Sequence, residues 1–424
     1  MATVYGALLS TILTLFFLNA LLDRLVRYYA GVKIFTPLFY ALVGIAILYQ
    51  IGLIAWTGRV RRLQVAAGAW IVFVVILGAV YGDAGASILA IKQFFFGVVF
   101  LFLFSAYPLP VGVLITDLVA VLAYALFQGS YFLTQGLRLP PWDAAYVKER
   151  LEAGVLNAYQ GDLIRPFATF GSFTEYQIVA HVFVTCLFLL RGRLSKWQGR
   201  TVISLLVMLA LQDVILTDRT PILMSFIILS VCLLGSALTN GLLTGSRRLF
   251  DGLFGAASAG FVFILISQSL VNSGNAGVQR LGESAQFWNA ETVQQRETHE
   301  WSSARQSIAW FPDGMGPNEV TIDYNPKAQR PHNGFFLLQI GYSYLTPLLF
   351  VGFIAIAFST VYATIPSSHP ELARIGFCGL GITCAYVAAS FFNVPFNGYG
   401  GPAFFLTMYW LYWLRYESVH LKGG

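Results

Sequence analysis

The sequence predicts an all-α polytopic membrane protein with about twelve transmembrane helices and a large folded outer loop at 271–333. Three observations predict it. Of 424 residues, 57% are hydrophobic and only 11% are charged, too few charges to cover a water-facing surface of that size. Apolar runs close to the ~20 residues that a bilayer core demands recur along the whole chain. These runs are continuously apolar and do not alternate, unlike the ~10-residue strands of an outer-membrane barrel. In hydrocarbon a backbone must satisfy its own polar groups, so such runs are helices.

In chain order the expected spans are 4–22, 35–56, 65–80, 88–107, 110–128, 174–190, 201–217, 220–238, 251–270, 334–358, 375–392 and 402–414. No basic residue precedes the first run and no small-residue cleavage site follows it, so it reads as a retained span. Cys186, Cys232, Cys378 and Cys384 all fall inside apolar runs, where they read as small buried hydrophobes. No internal repeat interrupts the pattern, and residues 1–424 read as one integral-membrane domain.

Two polar stretches remain, 129–173 and 271–333. An inner N-terminus places both on the outer side. The inner loops then hold Arg59, Arg61 and Arg62, Arg191, Arg193, Lys196 and Arg200, Arg247 and Arg248, Arg374, Arg415 and Lys422, as the positive-inside bias requires. Arg24, Arg27 and Lys33 break it, in a short outer loop. The formal net charge of +6 belongs to these scattered loops and does not describe a nucleic-acid surface. The first outer loop contains Pro140-Pro141-Trp142-Asp143, which predicts a short surface helix capped by Asp143, with Trp142 and Tyr146 at the interface. The second mixes charges of both signs with tryptophans and is expected to fold.

Ionisable groups in or beside spans mark function in membrane proteins. Lys92 lies about one turn into the fourth span, Glu175 opens the sixth, and Asp218-Arg219 forms a short outer turn. Arg165 ends the first outer loop, while Arg280, Arg296, Arg330 and His332 belong to the second. The arginine fork stays charged when partly desolvated and binds phosphate oxygens at two points. Arg219 precedes Thr220-Pro221, so a helix starting there adds the positive end of its dipole. His332, just before Asn333 and the tenth span, can move or hold a proton near neutrality. His181 is expected to be hydrogen-bonded within the bundle, His369 and His420 to lie on the inner side, and His299 in the loop. Asp313-Gly314-Met315-Gly316 lacks the lysine of a phosphate-binding loop, and no metal-binding spacing occurs.

The order of these landmarks resembles the O-antigen ligase/polymerase superfamily of bacterial polysaccharide assembly. The matching stretches are RPFATFGSFTEYQIVA at 165–180, LTDRTPILMSFIILSV at 216–231, and RLGES…QQRETHEW…WFPDGMG…RPHNGFFLLQIGYSYLTPLLFVG at 280–352. The chain departs from that pattern in three places. Asp218 stands where the family has Ser before its Arg, the Arg296-to-Trp301 spacing is one residue longer, and Ser172-Phe173-Thr174-Glu175 replaces a Pro-Asn pair.

The resemblance implies an inner-membrane glycosyltransferase with its active site facing the periplasm. Its donor would be an undecaprenyl-diphosphate-linked oligosaccharide. Its acceptor would be a second lipid-linked repeat unit, for a polymerase, or lipid A core, for an O-antigen ligase. The implied catalytic residues are His332, Arg219 and Arg296. Arg165, Arg280, Arg330 and Lys92 would bind diphosphate, and Glu175, Asp218 and Asn333 would serve as base or support. No metal, cofactor or nucleic acid is implied. Inner-membrane lipids, a chain-length regulator and a flippase would be its neighbours. A polymerase of O-antigen, capsule or exopolysaccharide units is the leading expectation, with ligase second. A transporter or flippase of lipid-linked sugar is the alternative from another class. It would hold its charges near the membrane midplane and in broken helices, whereas the charge here gathers at the outer face. Asp117 and Asp213 are the midspan exceptions.

Overall fold

The computed structural model describes residues 2–80, 88, 91–92, 94–135, 138–152, 159–160, 163–164, 168–170, 173–216, 219–244, 301–310, 322–324, 327–329, 333–367, 369–391, 393–396 and 398–420. In chain order they form α1 (Ala2–Ala30), α2 (Phe35–Thr57), α3 (Arg62–Val80), α4 (Phe96–Phe104), α5 (Val111–Thr134), α6 (Pro141–Glu152), β1 (Tyr159–Gln160), β2 (Leu163–Ile164), α7 (Phe173–Leu189), α8 (Lys196–Leu216), α9 (Arg219–Thr244), α10 (Ser302–Trp310), β3 (Ile322–Tyr324), β4 (Lys327–Gln329), α11 (Gly334–Gly341), α12 (Thr346–Ala357), α13 (Ser359–Tyr362), α14 (Pro370–Ser390) and α15 (Gly400–His420). The strands form two small antiparallel hairpins, β1 with β2 and β3 with β4. The other described elements are helices.

Among the described residues, four helices are long and apolar enough to cross a membrane: Thr3–Ala30, Phe35–Thr57, Val111–Phe132 and Pro370–Ser390. The pair α11 and α12 passes the same test jointly but is bent by 114°. The run 334–358, expected as one span, is therefore broken. Arg62–Leu77, Glu175–Leu189 and Thr220–Gly235 are shorter apolar helices. The span expected at 251–270 lies outside the described residues, and of the loop 271–333 the described parts are residue 301, α10 and the β3–β4 hairpin. The membrane character shows on α2, which buries Phe39, Val43, Ala46 and Gln50 along one stripe. Its other face exposes Ile45, Leu48 and Ile51, and Leu48 is 71% exposed. A helix apolar all round belongs in lipid or in a core.

The helices divide into two compact units, residues 1–59 with 109–218, and residues 60–108 with 219–424. The first is tied by polar contacts. Gly31, in the left-handed region at φ 73°, ends α1. Asp23 then turns back and accepts from the N–H groups of Ile34, Phe35 and Thr36 at 2.7–2.9 Å, which satisfies the open start of α2. The Thr14 hydroxyl donates to Asp117 at 3.2 Å, joining α1 to α5, and the Gln212 amide donates to the Leu122 carbonyl at 2.9 Å, joining α8 to α5.

The second unit relies on close helix approach. A Cβ on Gly97 would fall 2.4 Å from the Gly401 carbonyl carbon, so α4 and α15 touch backbone to backbone. The Tyr409 hydroxyl donates to the Tyr107 carbonyl at 2.7 Å farther along, so the two run parallel. Gly381 lies against the Ile228 backbone and Gly235 under the Phe377 ring, which pairs α9 with α14 in antiparallel fashion. Small residues that let backbones approach are how helices associate where lipid removes the hydrophobic drive. Rings fill the rest. Trp70 of α3 stacks on Phe353 at 5.0 Å, and Phe396 meets Phe350 edge-on at 5.0 Å. Arg61 donates to the Ser105 carbonyl, and Arg62 to the Ile356 carbonyl and the Ser359 hydroxyl. Both thus serve helix C-termini, where a cation is favoured.

Candidate functional site

Asn333 begins the broken segment. Its side-chain oxygen accepts from the N–H groups of Phe335 at 2.9 Å and Phe336 at 3.1 Å, a helix N-cap. Its side-chain amide donates to the Phe391 carbonyl at 3.1 Å, just past the end of α14. The Gly334 N–H donates to the Asn393 carbonyl at 3.1 Å. The chain therefore enters α11 pinned at two points to the C-terminal end of α14. It leaves through Ser343, whose hydroxyl lies 3.2 Å from that of Thr346, and Pro347 opens α12. Irregular backbone at membrane depth needs protein around it or a cavity beside it. Here Phe95, Phe335, Leu338, Phe350 and Phe396 line a cavity of about 30 Å³. Its lining is apolar apart from Thr383 and Ser390.

The antiparallel pairing fixes where Arg219 falls. Ile228 faces Gly381, and Gly235 faces Phe377, so moving toward the start of α9 moves toward the end of α14. Arg219, the first residue of α9, thus shares an end of α14 with Asn333, which binds Phe391 there. The N-termini of α9 and α11, each with partial positive charge, are among those that open at that end. Arg219 is described in its backbone only. Lys92 is helical and exposed, in the same unit. Arg165, Asp218, Arg280, Arg296, Arg330 and His332 lie outside the described residues.

In the first unit, Glu175 falls in the first turn of α7, half-exposed, where the helix dipole favours an anion. The main polar feature there is a buried ion pair between α1 and α6. Arg24 and Arg27 are not loop residues but belong to α1. Arg24 is 4% exposed. Its Nε lies 2.9 Å from Asp143 Oδ1, its Nη1 donates to the Phe170 carbonyl at 2.6 Å, and its Nη2 donates to the Ala168 carbonyl. Asp143 is not the N-cap of α6 but lies in its first turn, and α6 packs against α1 through Asp143 and Glu149. The Asp143 carboxylate is buried in the first turn of α6 and also accepts from the Tyr124 hydroxyl and the Gln128 amide, each at 2.7 Å. Burial raises the Asp143 carboxyl above the usual carboxylate range, opposed by the Arg24 charge and the Tyr124 and Gln128 hydrogen bonds. Trp142 donates to the Tyr124 hydroxyl at 2.6 Å, Tyr146 lies under the Arg24 guanidinium at 5.4 Å, and Arg27 pairs with Glu149. The one signal available in the sequence was opposite charge: Arg24 and Arg27 on α1, and Asp143 and Glu149 among the three acids of α6.

No protein-family model and no curated protein sequence matches the chain.

His181 is hydrogen-bonded inside the bundle, as expected, and its partner is Asp213 at 2.9 Å, one of the two midspan acids. The other, Asp117, holds Thr14. Cys186, Cys232 and Cys378 are buried, whereas Cys384 is exposed on α14. Among the described residues no cluster of three or more His, Cys, Asp or Glu is arranged to hold a metal ion.

Proposed function

We propose that this membrane protein is a glycosyltransferase of the bacterial inner membrane. It takes a glycan from an undecaprenyl-diphosphate carrier and transfers it to a sugar hydroxyl at the periplasmic face, extending a surface polysaccharide. About twelve spans frame the site in this reading, and the loop 271–333 covers it. One observation carries the proposal: Arg219 and Asn333, from two of the stretches that resemble the family, open helices at the same end of α14. His332 precedes Asn333 directly in the chain.

The donor is already activated, so the protein positions the acceptor and stabilises the leaving group. The acceptor oxygen forms a bond to C1 as the bond from C1 to the diphosphate oxygen breaks, which inverts C1. The electron pair leaves with the diphosphate, where Arg219 and Arg296 offset the growing charge, with Arg165, Arg280, Arg330 and Lys92 around them. The hydroxyl proton goes to His332, and Glu175 and Asp218 are alternative bases. Asn333 follows His332 in the chain and caps α11. Arg219→Ala and His332→Ala are each expected to abolish transfer while the protein still inserts into the membrane. Near-normal polymer from both variants overturns the reading. In a deletion strain, single repeats on lipid A core mean a lost polymerase, and long polymer left on the carrier means a lost ligase.

A transporter of lipid-linked sugar is the second reading, favoured by the 114° break between α11 and α12. Purified protein in vesicles separates the two: a transporter moves the lipid-linked donor across the bilayer and forms no new glycosidic bond.

A further inference from the structure

We propose that Arg24 is a positioning residue that holds the segment Ala168–Phe170 in the shape the transfer reaction needs. The proposal rests on the glycosyl-transfer reading, because that segment follows Arg165 by three residues and precedes Glu175 by five.

Ala168 has φ 50°, the left-handed region that an L side chain occupies at a cost. Its neighbours hold it there from both sides. Its N–H donates to the Gln128 side-chain oxygen at 3.0 Å, and its carbonyl accepts from Arg24. Gln128 and Arg24 both end on Asp143, so one buried carboxylate anchors both grips. The Arg24 fork takes the Phe170 carbonyl as well, and the Phe170 ring packs against both Phe16 and Phe17, at 6.2 and 6.1 Å. Backbone strain that its surroundings over-determine gathers at functional sites.

The chemistry of Arg24 argues for positioning over simple pairing. A buried cation in a span is expensive and needs only its counter-ion to persist. Asp143 supplies that at Nε. The two terminal nitrogens are spent on backbone carbonyls on either side of Thr169. A planar fork can span a carboxylate and two carbonyls at once. A lysine ammonium at the same place keeps the charge for Asp143 and loses the geometry.

The test uses the full chain in proteoliposomes with a synthetic polyprenyl-diphosphate-linked repeat unit. Arg24→Lys is expected to lower kcat/KM for the donor ~10-fold, with the acceptor KM and the thermal midpoint unchanged. Hydrogen exchange of the peptide containing Ala168–Phe170 is expected to quicken ~10-fold. Adding Ala168→Gly, which adopts positive φ without strain, is expected to recover part of the R24K rate. Wild-type donor kinetics and wild-type exchange in R24K overturn the proposal. So does a loss in which donor kinetics, acceptor kinetics and thermal midpoint fall together, which marks a structural role only. If the wild-type protein forms no glycosidic bond, the functional reading fails. The exchange comparison still judges the hold, and unchanged exchange overturns it.

Discussion

The two units face the same difficulty and answer it differently. Lipid tails are as apolar as leucine, so burying leucine between helices gains little there. The first unit joins helices with buried polar groups: Arg24 with Asp143, His181 with Asp213, Thr14 with Asp117, and Asp23 with the start of α2. The second uses close glycine contacts, Gly97 on Gly401, Gly381 on Ile228 and Gly235 under Phe377, with aromatic rings between. Polar ties specify geometry at particular atoms and can hold a strained loop such as Ala168. Glycine contacts bring backbones together and leave a helix end, such as that of α14, free to receive other chain ends.

The contrast breaks most sharply at Gly97. A Cβ there would meet backbone, which cannot rotate away as a side chain can. Gly97→Val is expected to cost more than ~3 kcal/mol, at or beyond the upper end for overpacking, and to abolish the folded second unit. Monodisperse, wild-type-like elution and melting of G97V in detergent would show that the close approach does not matter.

Asp143 comes next. Asp143→Ala leaves a buried guanidinium uncompensated and is expected to destabilise by ~3–5 kcal/mol in denaturant unfolding. Replacing both partners, Arg24→Met with Asp143→Leu, is expected to recover only part of that loss: no charge is then left alone, but the Tyr124 hydroxyl, the Gln128 amide and the Ala168 and Phe170 carbonyls lose a partner. The double variant should unfold between D143A and the wild type, and Ala168 loses its Arg24 grip. If D143A unfolds like wild type, the first unit is not held by its polar ties.

What was legible in the sequence follows this division. The apolar runs behind α1, α2, α5 and α14 were readable because span length and hydropathy are local properties. The expected polar partner of His181 was readable in kind, though Asp213 was not identifiable from its position. Arg24 was misread as a loop charge because the apolar run fades at Leu22, while α1 continues to Ala30. Its partner lies 119 positions away, and no local pattern links them. Asp143 was misread as a cap because Pro-Pro-Trp-Asp is a fair helix start. Its carboxylate is instead claimed by Tyr124, Gln128 and Arg24, a tertiary choice. The break at 341–346 was hidden by continuous apolarity, although Gly341 and Pro347 flank it. Of the site, the helix-opening places of Arg219, Glu175 and Asn333 were legible. The shared end of α14 was not, because it depends on which helices pair.

The smallest expected effect is at Asn333, where the second unit uses a polar tie of its own. Losing a helix cap costs ~1 kcal/mol, so Asn333→Ala is expected to lower the thermal midpoint by only a few degrees, on the order of 2–4 °C. Asn333→Asp separates its two jobs. A carboxylate caps as well as an amide does, but it cannot donate to the Phe391 carbonyl and places a charge against it. If Asn333 only caps, N333D should restore both midpoint and transfer. If the link to Phe391 sets the direction in which the chain arrives from His332, N333D should restore the midpoint better than the transfer rate. The second outcome is expected, since one amide bridging a helix start and the end of α14 is the same device as Gln128 bridging Asp143 and Ala168. Full recovery of both by N333D would show that Asn333 acts as a cap alone and that its link to the Phe391 carbonyl does not matter for transfer.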